Sequence, residues 1–288
     1  MGKVIAGDSV IVSGVLKTEA NDERDKKAQG IYTPYVLVNK LVILDGREKL
    51  EISKRELIKE MTGDPKIFYA LVRSFCPAIY GHELVKAGLL LGLLGGSSSD
   101  MFDEEVSYRS ACHVLLLGDP GLGKSQLLKY AIQLVPKSRY VCATNMSHAG
   151  LTVTVNREAE GLTTLSAGAL VLSDGGICAI DEFDKTSELA SLLEVMEQQT
   201  LTIAKAGILT QLKCKATIFA SANPIHGSYN HGKTFKENTK ISNAILSRFD
   251  LIFLLVDTPD PERDRKLSEH IMKVQSDNRK RPQKQRIY

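Results

Sequence analysis

One stretch limits what this chain can fold into more than any other: His113–Leu128, "HVLLLGDPGLGKSQLL". Val114 to Leu117 is a short uninterrupted apolar run and reads as a buried strand. Gln126 to Leu134 reads as the helix that follows. Between them stands G-x-x-x-x-G-K-S, with Gly118, Gly123, Lys124 and Ser125 at its fixed positions. Glycines there let backbone N–H groups turn inward around phosphate oxygens, and the helix N-terminus adds the positive end of its dipole. Lys124 is placed to reach the β- and γ-phosphates, and the Ser125 hydroxyl to ligate Mg²⁺. The loop predicts a nucleotide site, but it does not separate a kinase from a switch or a motor.

The surrounding pattern supplies a sheet for that loop. From Cys112 to Asp257 apolar runs alternate with helical stretches, which predicts an α/β fold with a parallel sheet and helices on both faces. The predicted strands are Val114–Leu117, Tyr140–Ala143, Ile177–Asp181, Thr217–Ala222 and Leu251–Val256. Upstream, Ser53 and Glu56 have the spacing of a capping box. Asp64-Pro65 opens a helix with Phe68, Leu71, Val72 and Phe75 on one face, and Leu84–Leu94 reads as a core helix, too short to cross a bilayer. The first fifty residues are β-rich, with Ser9–Leu16 and Ile31–Leu44 flanking the polar loop KTEANDERDKKAQG. Two or three strands cannot bury a core alone, so this segment is expected to be the end of a larger β domain.

Composition removes some classes of function. A net charge of +3 over 288 residues predicts no general polyanion-binding character, so any nucleic-acid contact must come from local basic elements. The five cysteines are widely spaced and form no C-x-x-C, which predicts reduced, mostly buried thiols of a cytosolic or nuclear protein and no zinc set. The start carries no secretory pattern, and no membrane-spanning run is present.

Further residues carry chemistry. In "GGICAIDEFDK" two carboxylates close an apolar strand: Asp181, suited to hold hydrated Mg²⁺ opposite Ser125, and Glu182, suited to orient or deprotonate the attacking water. Asn223, before Pro224, either starts a turn or touches the γ-phosphate from the sheet edge. Arg248, in "AILSRFD", either compensates a helix C-terminal dipole or completes a neighbouring subunit's site as an arginine finger. "QQTLTIAKAGILTQLK" reads as a hairpin with Lys205 near its tip, either simply solvated or an attachment for something beyond hydrolysis. Leu151–Leu172 likewise interrupts an expected helix with a β-prone insert.

Together GDPGLGKSQ, IDEFDK, EVMEQQT, AKAG, NPIHGSY and LSRFD resemble, in order, the motifs of the minichromosome maintenance (MCM) family of AAA+ helicase subunits, from about Phe68 to Ile271. Chelatase-type AAA+ proteins share the inserts, but the AKAG tip and the SRFD wording argue against them. The resemblance implies a P-loop AAA+ core with a parallel five-stranded sheet and inserted β-hairpins, preceded by a β-rich OB-fold remnant. The implied division is 1–50 for the end of an OB-like DNA-binding domain and 51–110 for a helical linker and the start of the MCM domain. The ATPase core is 111–258, and 259–288 a basic tail towards a lid with a sensor-2 arginine expected beyond Tyr288. The N-terminal zinc module is expected ahead of Met1.

The resemblance also implies roles. ATP and Mg²⁺ are the cofactors, and Gly118, Asp119, Pro120, Gly121, Leu122, Gly123, Lys124, Ser125 and Gln126 hold the nucleotide. Asn223 becomes sensor 1 and Arg248 a finger acting in trans. Lys205 becomes a contact to single-stranded DNA, and the insert near Val153–Leu165 a second channel element. The implied partners are single-stranded DNA and homologous subunits of a hexameric ring, the ninth paralogue among them, with no membrane and a nuclear location. The implied activity is ATP-dependent helicase or translocase work in recombination and repair or in replication. The alternative is an ATP-binding structural ring subunit with little hydrolysis. The sequence departs from the family at Leu165-Ser166-Ala167-Gly168, where members commonly carry Leu-Glu-Ala-Gly. It also has Gly123 where the replicative subunits usually have Ala.

Overall fold

The computed structural model describes residues 10–20, 32–43, 52–96, 109–157, 163–205 and 208–280. They divide into two units, 1–61 and 62–288. In the first, β1 (Val10–Ala20) and β2 (Tyr32–Ile43) pair antiparallel from Val10↔Ile43 to Ala20↔Tyr32, with a bulge between Ser13 and Gly14. A Cβ on Gly14 would overlap the Leu37 carbonyl oxygen, so glycine is required there. β1 runs four residues past the expected Leu16, because Tyr32–Tyr35 offer Lys17–Ala20 a continuous partner. The helix α1 (Ile52–Thr62) closes this part of the chain. α1 begins at Ile52, so Ser53 falls at its second residue rather than ahead of it as the expected capping box requires.

The second unit opens with α2 (Ile67–Ser74) and α3 (Glu83–Leu94). Asp64 Oδ1 accepts the Lys66 N–H (2.8 Å) just ahead of α2. Of the expected apolar face, Val72 and Phe75 are buried while Phe68 and Leu71 stay exposed. α3 is a core helix through Val85 and Leu89, although Leu84 and Leu94 at its ends face solvent. Strands and helices then alternate: β3 (Val114–Gly118), α4 (Lys124–Leu134), β4 (Arg139–Cys142), α5 (His148–Leu151), β5 (Val153–Arg157), β6 (Thr163–Ala167) and α6 (Ala169–Leu172). The series continues with β7 (Ile177–Asp181), α7 (Leu189–Gln198), β8 (Thr200–Lys205), β9 (Ile208–Lys213), β10 (Thr217–Ala222), α8 (Phe235–Asn238), α9 (Asn243–Leu246), β11 (Leu251–Leu255) and α10 (Pro261–Lys280).

Five strands form one parallel sheet in the order β11-β3-β10-β7-β4. β3 and β7 are buried along their whole length, which is why they read as unbroken apolar runs. On one face Val114, Leu116, Ile177, Ala179 and Phe219 pack with Leu127, Leu128 and Ala131 of α4 and with Val85 and Leu89 of α3. α3 lies close to the sheet there, since a Cβ on Gly92 would come within 2.8 Å of the Phe219 ring. The two inserts are antiparallel hairpins, β5–β6 and β8–β9. All five cysteines are free thiols, and burial raises Cys178 and Cys214 to about 12. Among the described residues no helix is long and apolar enough to cross a membrane.

Candidate functional site

Because the sheet is parallel, the segments that follow β3, β7 and β10 emerge at one edge. The phosphate loop leaves β3 at Gly118, where a Cβ would overlap the Leu255 carbonyl oxygen of the adjacent β11. Gly121 and Gly123 turn it through left-handed backbone, with φ of +88° and +79°. Lys124 is buried, and its Nζ donates back to the carbonyls of Gly118 (2.5 Å) and Asp119 (2.7 Å). Burial pushes this ammonium down from its ordinary pKa, and the carboxylates of Asp119, Asp181 and Asp184 offset part of that. The Asp119 carboxylate is a structural tie, accepting the N–H of Tyr229 (2.7 Å) at Oδ1 and of Asp257 (3.0 Å) at Oδ2. It joins the loop to the segment after β10 and to the end of β11.

Asp181 closes β7 beside this loop. Its Oδ2 accepts the Tyr140 hydroxyl (2.5 Å), while its Oδ1 accepts the Ser221 hydroxyl and the Glu182 N–H (3.1 Å). The Ser125 hydroxyl also helps to stabilise the charge of this carboxylate. Burial alone would raise this carboxyl, but the three hydroxyls and the amide outweigh it and hold Asp181 below the usual carboxylate range. Tyr140 is correspondingly pushed up, first by burial and then by Asp181. Glu182 follows in left-handed backbone (φ +55°), an uncommon conformation for a residue with a side chain. Its Oε2 lies 3.7 Å from Lys185 Nζ. At the end of β10, the Asn223 N–H donates to Asp184 Oδ1 (3.2 Å), tying that strand end to the turn after β7.

The sheet edge thus gathers Lys124, Ser125, Asp181, Glu182 and Asn223. Arg248 is not among them. It precedes β11, at the opposite end of that five-residue strand, roughly 17 Å from the loop edge. Its Nη2 donates to Glu197 Oε2 (2.6 Å), and its buried Nε has no partner among the described residues. That ion pair, rather than a helix carbonyl, is what its side chain meets. Lys205 ends β8 opposite Ile208, at the far tip of the hairpin. The hairpin base is buried through Leu201, Ile203 and Leu212 and tied to α7, where Glu194 Oε1 accepts from Thr202 N (2.8 Å) and Oγ1 (2.6 Å).

Among the described residues no three His, Cys, Asp or Glu side chains form a metal centre. A hydroxyl beside an ionised carboxylate is nevertheless the donor set of Mg²⁺, which retains water and phosphate oxygens as its other ligands. The pair Ser125–Asp181 therefore fits that ion.

Several members of the site escape sequence reasoning. Tyr140 and Ser221 reach Asp181 from neighbouring strands, and only the strand order reveals it. Glu197 is equally silent, although it lies in EVMEQQT. A cleft of about 240 Å³ also opens beside the phosphate loop, walled by Ile79, Tyr80, Leu122, Asp257, Leu267 and Ile271. Its one sequence signal is the IYGH turn ahead of α3.

The comparisons with known proteins fall on the same residues. The family model described as the MCM P-loop domain matches residues 54–275. The chain is 43% identical over 292 residues to "DNA helicase MCM8" of Gallus gallus and 41% identical over 291 residues to that of Homo sapiens. Each match covers 94% of this chain and 35% of the relative. "Probable DNA helicase MCM8" of Arabidopsis thaliana is 50% identical over 212 residues, covering 73% of this chain and 26% of the relative. The chain spans about a third of the length of these curated relatives. The similarity to eighth-paralogue sequences agrees with Leu122, FCPAIYGHELVKAGLLLGLLGG and KLSEH, which resemble that branch, while Gly123 resembles the eighth and ninth paralogues alike rather than the replicative subunits. With most of its length matched by the family model and that stretch folded around a phosphate loop, the chain belongs to the MCM family.

Proposed function

We propose that this chain is the ATPase core of an ATP-dependent DNA helicase or translocase subunit that works in an MCM-type ring. The observation that carries the reading is the convergence of Lys124, Ser125, Asp181, Glu182 and Asn223 at one sheet edge. The loop amides from Gly118 to Ser125 cradle the ATP phosphates, the adenine base enters the cleft beside Ile79 and Tyr80, and Gln126 begins the exposed side of α4. Lys124 exchanges its two carbonyl partners for β- and γ-phosphate oxygens. Ser125 and Asp181 would hold Mg²⁺, which would supply charge neutralisation on the phosphates when bound. Glu182 orients water and takes its proton, and Asn223 holds the γ-phosphate.

Arg248 lies at the other end of the strands, so it serves a neighbour's nucleotide rather than its own. Fingers of this kind are worth ~10³–10⁵ in rate. Lys205 at the tip of β8–β9 contacts phosphates of single-stranded DNA without reading bases, and the β5–β6 hairpin is a second element of the channel. The β1–β2 segment belongs to an OB-like DNA-binding domain, consistent with Val15, Leu16, Val36 and Val38 being exposed in it. Residues 259–288 lead towards a lid. The ring contains homologous subunits, with the ninth paralogue among them, and it acts in the nucleus in homologous recombination and repair.

The test is the ATPase rate per subunit across protein concentration, with and without single-stranded DNA, against Glu182→Gln as the blank. A rate that climbs with concentration and rises again with DNA supports the reading. ATP binding with a flat rate equal to the blank overturns it in favour of an ATP-binding structural ring subunit.

A further inference from the structure

The wall of the cleft beside the phosphate loop is a short turn, Cys76–His82, between α2 and α3. Three of its seven residues have left-handed backbone: Cys76 (φ +47°), Gly81 (+70°) and His82 (+54°). Two of the three carry side chains, so the turn stores strain that its surroundings must overcome. Packing holds its start, where Cys76 is buried in the core and Ile79 packs against it, but not its middle. Ile79 and Tyr80 line the cleft on one side and a hollow of about 440 Å³ on the other, so the turn is a thin wall between two open spaces.

Two side chains reach the wall: His270 of α10, whose Nε2 lies 2.7 Å from the Pro77 carbonyl oxygen and whose ring packs on Tyr80, and Lys86, one turn into α3. Lys86 is only 5% exposed, and its Nζ donates to the carbonyls of Ile79 (2.7 Å) and Cys76 (3.3 Å). Among the described residues no carboxylate lies within ion-pair distance of it. A buried lysine whose hydrogen bonds go to two backbone carbonyls of one turn is costly unless the geometry it fixes is needed. That geometry leads to the phosphate loop. A Cβ added to Gly123 would stand 2.8 Å from Ile79 Cδ1, so the side chain of the residue that Lys86 holds lies directly against the loop.

We propose that Lys86 is a positioning residue for the nucleotide base: by gripping the Ile79 and Cys76 carbonyls it holds the cleft wall against the phosphate loop. It touches neither phosphate nor metal. Its loss widens the cleft at the base while leaving Lys124, Ser125 and Asp181 in place. The inference rests on the ATPase reading above, and the experiment separates the two.

Titrate the 288-residue chain and its Lys86→Met variant with ADP and, separately, with inorganic tripolyphosphate. Methionine keeps the length and apolar stem of lysine and removes the donors. ADP should bind the variant about tenfold more weakly, while tripolyphosphate binds as before. Lys86→Arg, which restores donors, should recover ADP affinity. Equal weakening of both ligands, or unchanged ADP binding, overturns the proposal. If Lys86→Met does not fold, Lys86→Gln is read by the same two ligands and the same criteria. A parent chain that binds tripolyphosphate but not ADP overturns the positioning role, since no base is then held. A parent chain that binds neither overturns the ATPase reading itself.

Discussion

His113 gives the sharpest quantitative test of the fold. It lies immediately before β3, 1% exposed, and its Nδ1 accepts the Ile218 N–H (3.0 Å). An imidazole nitrogen accepting an amide N–H carries no proton, so the ring is neutral, and the nitrogen facing Met196 O (3.4 Å) is the protonated one. Burial pushes this imidazole down to about 4; the Arg109 guanidinium adds to the shift, and the Asp250 carboxylate and Met196 carbonyl oppose it. Since the folded pKa is depressed, the unfolded chain binds the proton first. Stability is therefore lost as pH falls below ~6.5 and continues to fall to about 4. With those two values the group contributes a loss of about 2 kcal/mol between pH 7 and pH 5. Urea unfolding at the two pH values measures it, and the midpoint should move by about 1 M for a slope near ~2 kcal/mol/M.

Carboxylates also titrate in that interval, so the comparison is with His113→Asn, whose Oδ1 can take the place of the ring Nδ1. That variant should be less stable at pH 7 but lack about 2 kcal/mol of the pH dependence. If wild type and variant lose stability in parallel from pH 7 to pH 5, the neutral, amide-accepting histidine is wrong. The pairing of β10 beside β3 at this end would then need another explanation.

Three further outcomes are expected. Gly118→Ala would force a Cβ against Leu255, 2.7 Å from its own Cβ, and should cost about 3 kcal/mol in thermal or urea unfolding; a neutral substitution would show that β3 and β11 are not this close. Asp119→Asn turns one acceptor oxygen into an N–H donor facing either Tyr229 N or Asp257 N, and should lower stability by about 1–3 kcal/mol, read by urea unfolding at pH 7. Glu182→Gln and Arg248→Ala should each be inactive alone, yet an equal mixture should recover activity at about one interface in four, because each supplies what the other lacks. Absence of recovery in co-assembled rings would place Arg248 outside the neighbour's site.

The sheet was legible because of where its strands lie. β7 and β10 match their apolar runs to the residue and β3 differs by one, since central strands of a parallel sheet carry no polar alternation to blur their ends; the edge strand β11, alternately buried, also differs by one. At the other edge β4 is half-exposed and lies one residue earlier than its pattern suggests. Phosphate-loop residues and the Asp181–Glu182 pair stood out because their spacing is local. What sequence could not show is what crosses between strands. Tyr140 and Ser221 reach Asp181 from β4 and β10, and Glu197 meets Arg248 across 51 positions. Lys86 was hidden for a different reason: among the leucines of α3 it reads as an ordinary solvated lysine, and only its two carbonyl partners distinguish it.

The strand order has a consequence for synthesis. β3 is made first of the five, yet its neighbours are β10 and β11, the last two. His113 waits for Ile218, 105 positions later, before its ring finds its partner. At ~5–20 residues per second a ribosome needs on the order of ten seconds to deliver β10 after β3. Throughout that interval the run Val114–Leu117 has no strand to pair with, while β4 and β7 can already meet. The segment that shapes the phosphate loop is thus the longest-lived sticky strand on the nascent chain. Conditions that slow elongation between Gly118 and Thr217 should lower the soluble yield before they alter any property of the folded protein.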